Sequence, residues 1–422
     1  MQRILSTQLA AHIGEEVTIA GWIHRRRMLK SVAFLILRDR SGFAQVVTTS
    51  AELEALSEET VVTVTGTVTA NKVAPGGVEL TQPRIEVLSD HVEALPVELF
   101  RPSLNVTLPT LLDHAPLTLR HPARRAVFEL SAAVVRGFRT TLDKLDFTEV
   151  HSPKIVGAAT ESGANVFGVD YFGRTAYLAQ SPQLYKQTLV GVFERVYEVG
   201  PVFRAEPSDT ARHLAEYVSL DAELGFVESH RDVMAVLRDV FAGMIAEAKA
   251  VPSVAAAGFD LPEVPAQIPI VHFSEALKIS GAPSDEQDLA PAHERAVCEW
   301  AVREHGSEFV YVEGYPTLKR AFYTHPEPGH EPYSRAFDLL FRGLELVSGS
   351  QRLHRYDDYV ETLAERDQPL ALYESFLEVF KLGMPPHGGF AIGLERLVAQ
   401  LVGAANVREV TFFPRDLHRV TP

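Results

Sequence analysis

The sequence predicts an α+β protein in two parts: an N-terminal β-barrel of the OB type, then a larger domain built on a mainly antiparallel sheet. Three observations predict it. Residues 1–95 alternate apolar and polar positions at the period of two that strands require. Residues beyond 123 mix helical and extended segments without the strict alternation of a doubly wound sheet. Between them, five prolines interrupt the periodicity. At 422 residues the chain has room for two or more domains of roughly 100–200 residues each.

In the first part, Val17–Ile23 alternates, as do Val62, Val64, Gly66 and Val68, and later Ile85 and Val87. Asp39-Arg40-Ser41-Gly42 reads as a turn between Phe34–Leu37 and Ala44–Val47, and Pro75-Gly76-Gly77 as a second. Five short strands joined in this way suit a small closed barrel, the OB-fold first among candidates, with another small β-barrel an open alternative. Pro96, Pro102, Pro109, Pro116 and Pro122 then read as a hinge, which sets expected boundaries at 1–97, 98–121 and 122–422. Val127, Leu130, Val134, Phe138 and Leu142 recur at helical spacing and predict a helix over 123–144. Strands are expected at Tyr197–Phe203, Tyr217–Phe226, Phe309–Val312 and Arg335–Leu340, and helices at Arg231–Ala250, Pro291–His305 and Tyr356–Glu365.

With 46% hydrophobic and 23% charged residues, the composition is that of a globular rather than a disordered chain. The longest apolar run, Val32–Leu37, is too short to span a bilayer, and the N-terminus lacks the apolar core of a secretory signal. One cysteine, Cys298, excludes an intrachain disulfide framework and a cysteine-based zinc site, so the expected location is cytoplasmic. The net charge of −15 argues against a general nucleic-acid coat, yet residues 21–40 carry Arg25, Arg26, Arg27, Lys30, Arg38 and Arg40 against Asp39 alone. No GxxxxGK[ST], HExxH or GxSxG motif occurs, and no histidine pair has metal-ligand helical spacing with a third ligand nearby.

Three clusters carry the chemistry. Phe203-Arg204-Ala205-Glu206 and Arg212-His213-Leu214-Ala215-Glu216-Tyr217, running on to Asp221 and Glu223, read as strand, loop and strand with charges where a buried strand should have none. A solvated hairpin with self-paired charges is the bland alternative. An anionic ligand with a cation is the sharper one. Asp338, Glu345 and Arg352 form the second cluster: two carboxylates suited to a hard cation and a planar fork suited to a carboxylate or phosphate. In the third, Gly388-Gly389-Phe390-Ala391-Ile392-Gly393-Leu394-Glu395-Arg396 reads as glycines leading into a helix start, where free N–H groups favour an anion.

Together with Phe147–Pro153, these clusters resemble motifs 1, 2 and 3 of class II aminoacyl-tRNA synthetases, in order and over essentially the whole chain. The barrel and the spacing match the aspartate–asparagine–lysine subgroup. Gln180-Ser181-Pro182-Gln183-Leu184-Tyr185-Lys186-Gln187 and Glu345–His354 are similar to the aspartyl branch of archaeal and eukaryotic type. Two cations, Lys186 and Arg352, can neutralise a buried side-chain carboxylate, whereas the amide of asparagine would leave their charges uncompensated.

The resemblance implies ATP and Mg²⁺, and a reaction in which L-aspartate is adenylated and passed to tRNA(Asp), with tRNA(Asn) open as a second acceptor. For ATP it implies Arg204, Ala205, Glu206, Arg212, His213, Leu214, Tyr217, Glu345, Gly393, Leu394, Glu395 and Arg396, with Arg204, Glu206 and Arg396 central to catalysis. It implies Glu161, Gln183, Leu184, Tyr185, Lys186, Arg204, Asp221, Ser348 and Arg352 for aspartate. Asp338, Glu345 and Ser348 would hold the metal. In the barrel it implies Phe34 as the base-stacking aromatic, with Arg26 and Gln45 beside it; core packing is the competing role for Phe34. His24 and the 79–83 stretch around Pro83, near that stacking face, are expected to tune tRNA choice. Pro153 would lie in a homodimer interface. Ala391 departs from the family pattern, where glycine is common. An asparaginyl enzyme, a synthetase-derived asparagine synthetase and a non-catalytic RNA-binding regulator are the alternatives. Lys186 with Ser348, the barrel, and the intact Arg204, Asp338, Glu345 and Arg396 weigh against them respectively.

Overall fold

Strand alternation in the first part closes into a barrel. In the computed structural model, which describes residues 3–30, 32–157 and 165–422, the contacts divide the chain into Met1–His121 and Pro122–Pro422. The first unit carries β1 (Glu16–Met28), β2 (Ala33–Arg38), β3 (Phe43–Thr48), β4 (Val61–Ala70) and β5 (Val78–Ser89), closed in the order β1-β2-β3-β5-β4. Val17, Ile19, Ile23, Ala33, Leu35, Leu37, Val46, Val62, Val64 and Leu80 fill its interior. The Asp39 carboxylate closes the β2–β3 turn, accepting from the amides of Ser41 and Gly42 and from Ser6.

The stretch expected as a hinge is partly helical. Leu108–Asp113 and Ala115–Thr118 are short helices whose prolines, Pro109 and Pro116, sit in the first turn, and Pro122 opens the next helix. A proline there loses no intrahelical hydrogen bond. Three of the five prolines therefore mark helix starts. Arg120 pairs with Glu59 at 3.0 Å, and His121 Nε2 lies 2.9 Å from the Arg101 carbonyl, which ties the stretch to the first unit.

The second unit is built on an eight-stranded sheet. Its strands are β6 (Thr148–Glu149), β10 (Arg195–Phe203), β11 (Glu216–Gly225), β12 (Ile270–His272), β13 (Phe309–Glu313), β14 (Ala336–Phe341), β15 (Leu344–Gln351) and β16 (His387–Gly393), in the order β12-β13-β14-β15-β16-β11-β10-β6. Only the β12–β13 and β10–β6 pairs are parallel. A small sheet of β7 (Ile155–Val156), β8 (Gly168–Tyr171) and β9 (Arg174–Leu178) stands apart from it. The helices Pro122–Lys144 and His230–Lys249 put Leu130, Val134, Phe138, Leu237 and Phe241 into one core cluster with Leu220, Ala222, Leu339, Phe390 and Ile392 of the sheet. Each of these leucine, valine, isoleucine and phenylalanine side chains contributes about 1.5–3 kcal/mol on burial. The two helices cross closely at Gly137, where a Cβ would lie 2.6 Å from the Met244 Cα.

The third motif departs from its sequence reading. Gly388 and Gly389 lie inside β16, not at a helix start; only Gly393 precedes the helix Leu394–Val402. A Cβ at Gly389 would meet the Ala222 carbonyl oxygen and a Glu223 carboxylate oxygen, each at 2.2 Å, so the glycine makes room for a buried charge. Among the described residues, no helix is long and apolar enough to cross a membrane.

Candidate active site

Strand register gathers the charged residues on one face of the sheet. Asp221 on β11 faces Ala391 on β16, Ala391 faces Ser348 on β15, and Ser348 faces Asp338 on β14. One row along, Glu223 faces Gly389, and Gly389 faces Ser350. Directly paired antiparallel residues share a face. The intervening Leu220, Ala222, Phe390, Ile392 and Val347 therefore point the other way, into the core. Ala391 stands in this row on a strand rather than in a loop, and its residue lines the cavity described below.

Four charges meet at the buried end. Lys186 Nζ lies 3.0 Å from Asp221 and 3.4 Å from Glu223, and Arg352 Nε lies 2.8 Å from Glu223. All four are at most 5% exposed. Lys186 comes from the helix Gln183–Phe193, whose buried positions Gln183, Lys186, Gln187 and Val190 follow helical spacing. Burial alone would raise the Glu223 carboxyl, but Arg352 and Lys186 outweigh it and hold it below the usual range. Arg352 also donates to Ser350 and to Gln183 Oε1. The other amide atom of Gln183, Nε2, is buried and has no hydrogen-bond partner among the described residues. Beneath them, burial holds His387 at about 4; its Nε2 faces Gln187, which accepts from Tyr359.

The charge argument for aspartate is thereby corrected. Lys186 and Arg352 are not bare cations awaiting a carboxylate: Asp221 and Glu223 already compensate them. The helical rotation of about 100° per residue turns Leu184 and Tyr185 away from Lys186, and they line a mostly apolar cavity with Tyr177, Leu372 and Phe376 that shares Gln180 and Ser181 with the charged one.

The charged face opens into a cavity of about 190 Å³. Arg204, Glu206, Arg212, His213, Leu214, Tyr217, Glu345, Ser348, Gly393, Glu395 and Arg396, all expected from the sequence, line it together with Ser181, Ser219 and Ala391. Arg204 lies over the Tyr217 ring, 5.6 Å from its centre. Both carboxylate oxygens of Glu395 sit 3.1 Å from the Val218 amide, and burial pushes this carboxyl up to about 7. Two expected ATP residues are not in the lining. The Ala205 amide donates to the Asn165 carbonyl, and Leu394 packs into the core with Leu397 and Val398. Glu161 lies outside the described residues.

At the cavity's acidic corner, burial and the neighbouring Asp338 push the Glu345 carboxyl up to about 8. A register shift near Leu339 and Leu340 makes Leu346 an extra residue on β15, and the Glu345 amide donates to Glu294 at 3.1 Å. Arg320 grips both oxygens of Asp338, at 3.0 and 2.6 Å, and donates to Ser348 Oγ at 2.9 Å. Sequence reasoning missed Arg320 and Glu294. Neither belongs to one of the three clusters, and the only signal was an acid or arginine on a segment packed against apolar strands. Among the described residues, no three histidine, cysteine, aspartate or glutamate side chains are grouped to hold a metal.

In the barrel, Phe34 is half-buried and points outward between inward-facing Ala33 and Leu35, so core packing is not its role. It pairs with Arg27 and Val47, while Ile36 pairs with Arg25 and Gln45. An irregularity at His24 shifts the alternation of β1, and Arg26 consequently pairs with inward-facing Leu35. Arg26 donates to the carbonyls of Leu53 and Leu56 and pairs with Glu58, so Arg25 and Arg27, rather than Arg26, flank Phe34. Gln45 donates to Glu79 at 2.7 Å. Pro83 lies four residues farther along β5, beside Gly66. Burial and the adjacent Arg38 hold His24 at about 4. The basic cluster is smaller than its residue count, since Arg38 is buried on Glu59. In the second unit, Pro153 is exposed, next to the Ser152–Glu198–Lys154 cluster.

Comparison with known proteins meets this geometry. Residues 108–417 match the family model for tRNA synthetases class II (D, K and N), and residues 17–88 match that for the OB-fold nucleic acid binding domain. The chain is 47% identical to an aspartate–tRNA(Asp/Asn) ligase of Thermus thermophilus, over all of both chains. To the protein of the same name from Deinococcus radiodurans it is 44% identical, over all of this chain and 99% of the other. Among solved structures, it is similar to asparaginyl-tRNA synthetase from Pyrococcus horikoshii complexed with asparaginyl-adenylate, with a TM-score of 0.92 and 29% identity over all of both chains. It is also similar to an aspartyl-tRNA synthetase from Entamoeba histolytica, with a TM-score of 0.87 and 28% identity over all of this chain and 93% of the other.

Proposed function

The chain belongs to the class II tRNA synthetases of the D, K and N group, and from that membership we propose that it activates L-aspartate with ATP and transfers it to tRNA(Asp) and to tRNA(Asn). In the first step an aspartate α-carboxylate oxygen attacks the α-phosphorus of ATP, the bond to the bridging oxygen breaks, and pyrophosphate leaves. In the second, a hydroxyl of the terminal tRNA ribose attacks the activated carbonyl and AMP leaves. The protein's part is alignment and charge stabilisation.

The observation that carries this reading is the buried Lys186–Asp221–Glu223–Arg352 group beside a Gln183 Nε2 that has no partner among the described residues. Aspartate brings one ammonium and two carboxylates. Its ammonium takes Asp221, which releases Lys186 to its side-chain carboxylate alongside Arg352, and Gln183 Nε2 gains an acceptor. Exchange of partners, rather than capture by bare cations, binds the substrate.

Arg204 meets the substrate carboxylate and α-phosphate, where charge builds in the transition state. Glu206 accepts from the adenine amino group, Tyr217 and Arg396 enclose the ring, and Arg212 and His213 meet the outer phosphates. The acidic corner fits magnesium. Its donors are carboxylate and hydroxyl oxygens, and Glu345, whose ionisation is opposed by burial and by Asp338, gains most from a divalent cation. When bound, the metal supplies charge neutralisation on the phosphates.

Phe34, flanked by Arg25 and Arg27, supports base stacking and phosphate attraction for an anticodon. The printed names of the full-length relatives support use of both tRNAs. Exposed Pro153 supports a homodimer through the first motif, and a role in translation supports a cytoplasmic location. The test is charging of purified tRNA(Asp) and tRNA(Asn) with labelled aspartate. Comparable charging of both is expected; charging of tRNA(Asp) alone would reduce the proposal to a discriminating enzyme, and charging of neither would refute it.

A further inference from the structure

Arg320 is a half-buried cation on the buried carboxylate of Asp338, where a metal ion is expected. It follows the short helical turn Thr317–Lys319, and its guanidinium lies 3.8 Å from the centre of the Tyr315 ring. Arg366 fixes the segment by donating to the carbonyls of Thr317 and Arg320, at 2.9 and 2.8 Å. The guanidinium thus arrives preorganised at Asp338 and Ser348, which are direct cross-strand partners. It takes both Asp338 oxygens and one position on the Ser348 hydroxyl. Glu345 and Ser348 line the cavity; Asp338 and Arg320 do not.

We propose that Arg320 is a positioning residue that acts as a resident counter-cation: it occupies Asp338 and orients Ser348, so that the ATP-free protein does not bind a bare divalent ion and the metal enters with the nucleotide. The inference rests on the proposed ATP site and deepens it. Without Arg320 the Asp338 carboxylate would lose its bound counter-charge and, with Glu345 and Ser348 on the adjacent strand, would present an oxygen set suited to a hard cation. With it, the corner is one positive charge less attractive, and Asp338 has no oxygen without a guanidinium partner. The other charged groups facing this corner, Glu294, Arg396 and Arg212, are the same in both cases.

The test is Mn²⁺ binding to the full chain, read from the electron paramagnetic resonance of free Mn²⁺, with and without a nonhydrolysable ATP analogue. The ATP-free wild type is expected to bind Mn²⁺ at least about tenfold more weakly than Arg320→Gln, because removal of one nearby positive charge favours the cation. Arg320→Lys, which keeps the charge, should behave like the wild type. Equal binding by the folded wild type and Arg320→Gln overturns the proposal. Should Arg320→Gln fail to fold, the wild type still decides once the Mn²⁺ held by the analogue in protein-free solution is subtracted: protein-bound Mn²⁺ as tight without the analogue as with it overturns the proposal, and protein binding that needs the analogue supports it. A wild type that binds neither the analogue nor Mn²⁺ together with it would instead refute the proposed ATP site.

Discussion

Arg352 and Glu223 are both buried and joined at 2.8 Å, so removing one partner strands the other. Arg352→Met should cost about 3–5 kcal/mol in urea unfolding, the range for breaking a buried pair, and abolish aspartate activation. Glu313 carries a pH dependence that can be tested separately. Burial opposes its ionisation, but His230 and Arg231 hold its carboxyl down at about 2 against an ordinary 4.5. A depressed carboxyl stabilises the fold above its unfolded value, and this stability is lost as pH falls from about 4.5 toward 2. In thermal melts, Glu313→Gln should flatten that acid limb; an unchanged limb would contradict the pairing. At this scale the charges of β11 were legible because ionisable side chains every second residue are anomalous in a strand that also carries Leu220 and Ala222. Arg320 was not, because an arginine in a loop acquires meaning only from the strand pair it reaches.

The outward face of the barrel predicts a separation of effects. Phe34→Ala should weaken tRNA binding by about 1–3 kcal/mol, the value of one stacked base, and leave aspartate-dependent pyrophosphate exchange unchanged. Filter binding and exchange assays check the two halves; an equal loss of both would mean that Phe34 is structural. In the large sheet, Gly389→Ala should destabilise, since its methyl would have to displace the Ala222 carbonyl or Glu223, and a thermal melt reads the loss. Amphipathic helices were the most legible elements: Pro291–His305 and Tyr356–Glu365 fall where the pattern puts them. Proline and glycine were the least. Pro109 and Pro116 looked like breaks yet open helices, and Gly388 and Gly389 looked like a helix start yet sit in a central strand, because local sequence does not reveal what packs against it. The irregularity at His24, which exchanges Arg26 for its neighbours, is likewise set by pairing partners and not by β1 alone.

Across the whole chain, a net charge of −15 coexists with a basic stripe on one barrel face, so tRNA affinity should fall steeply with salt while amino-acid activation changes little. The family follows from matches over both units, whereas backbone similarity does not separate aspartate from asparagine: the solved relatives include enzymes for each. That choice rests on the full-length relatives. The most direct test is ATP–pyrophosphate exchange with magnesium, run with aspartate, with asparagine and with no amino acid. Exchange is expected with aspartate and only background with the other two. Exchange with asparagine and not with aspartate would contradict the aspartate assignment.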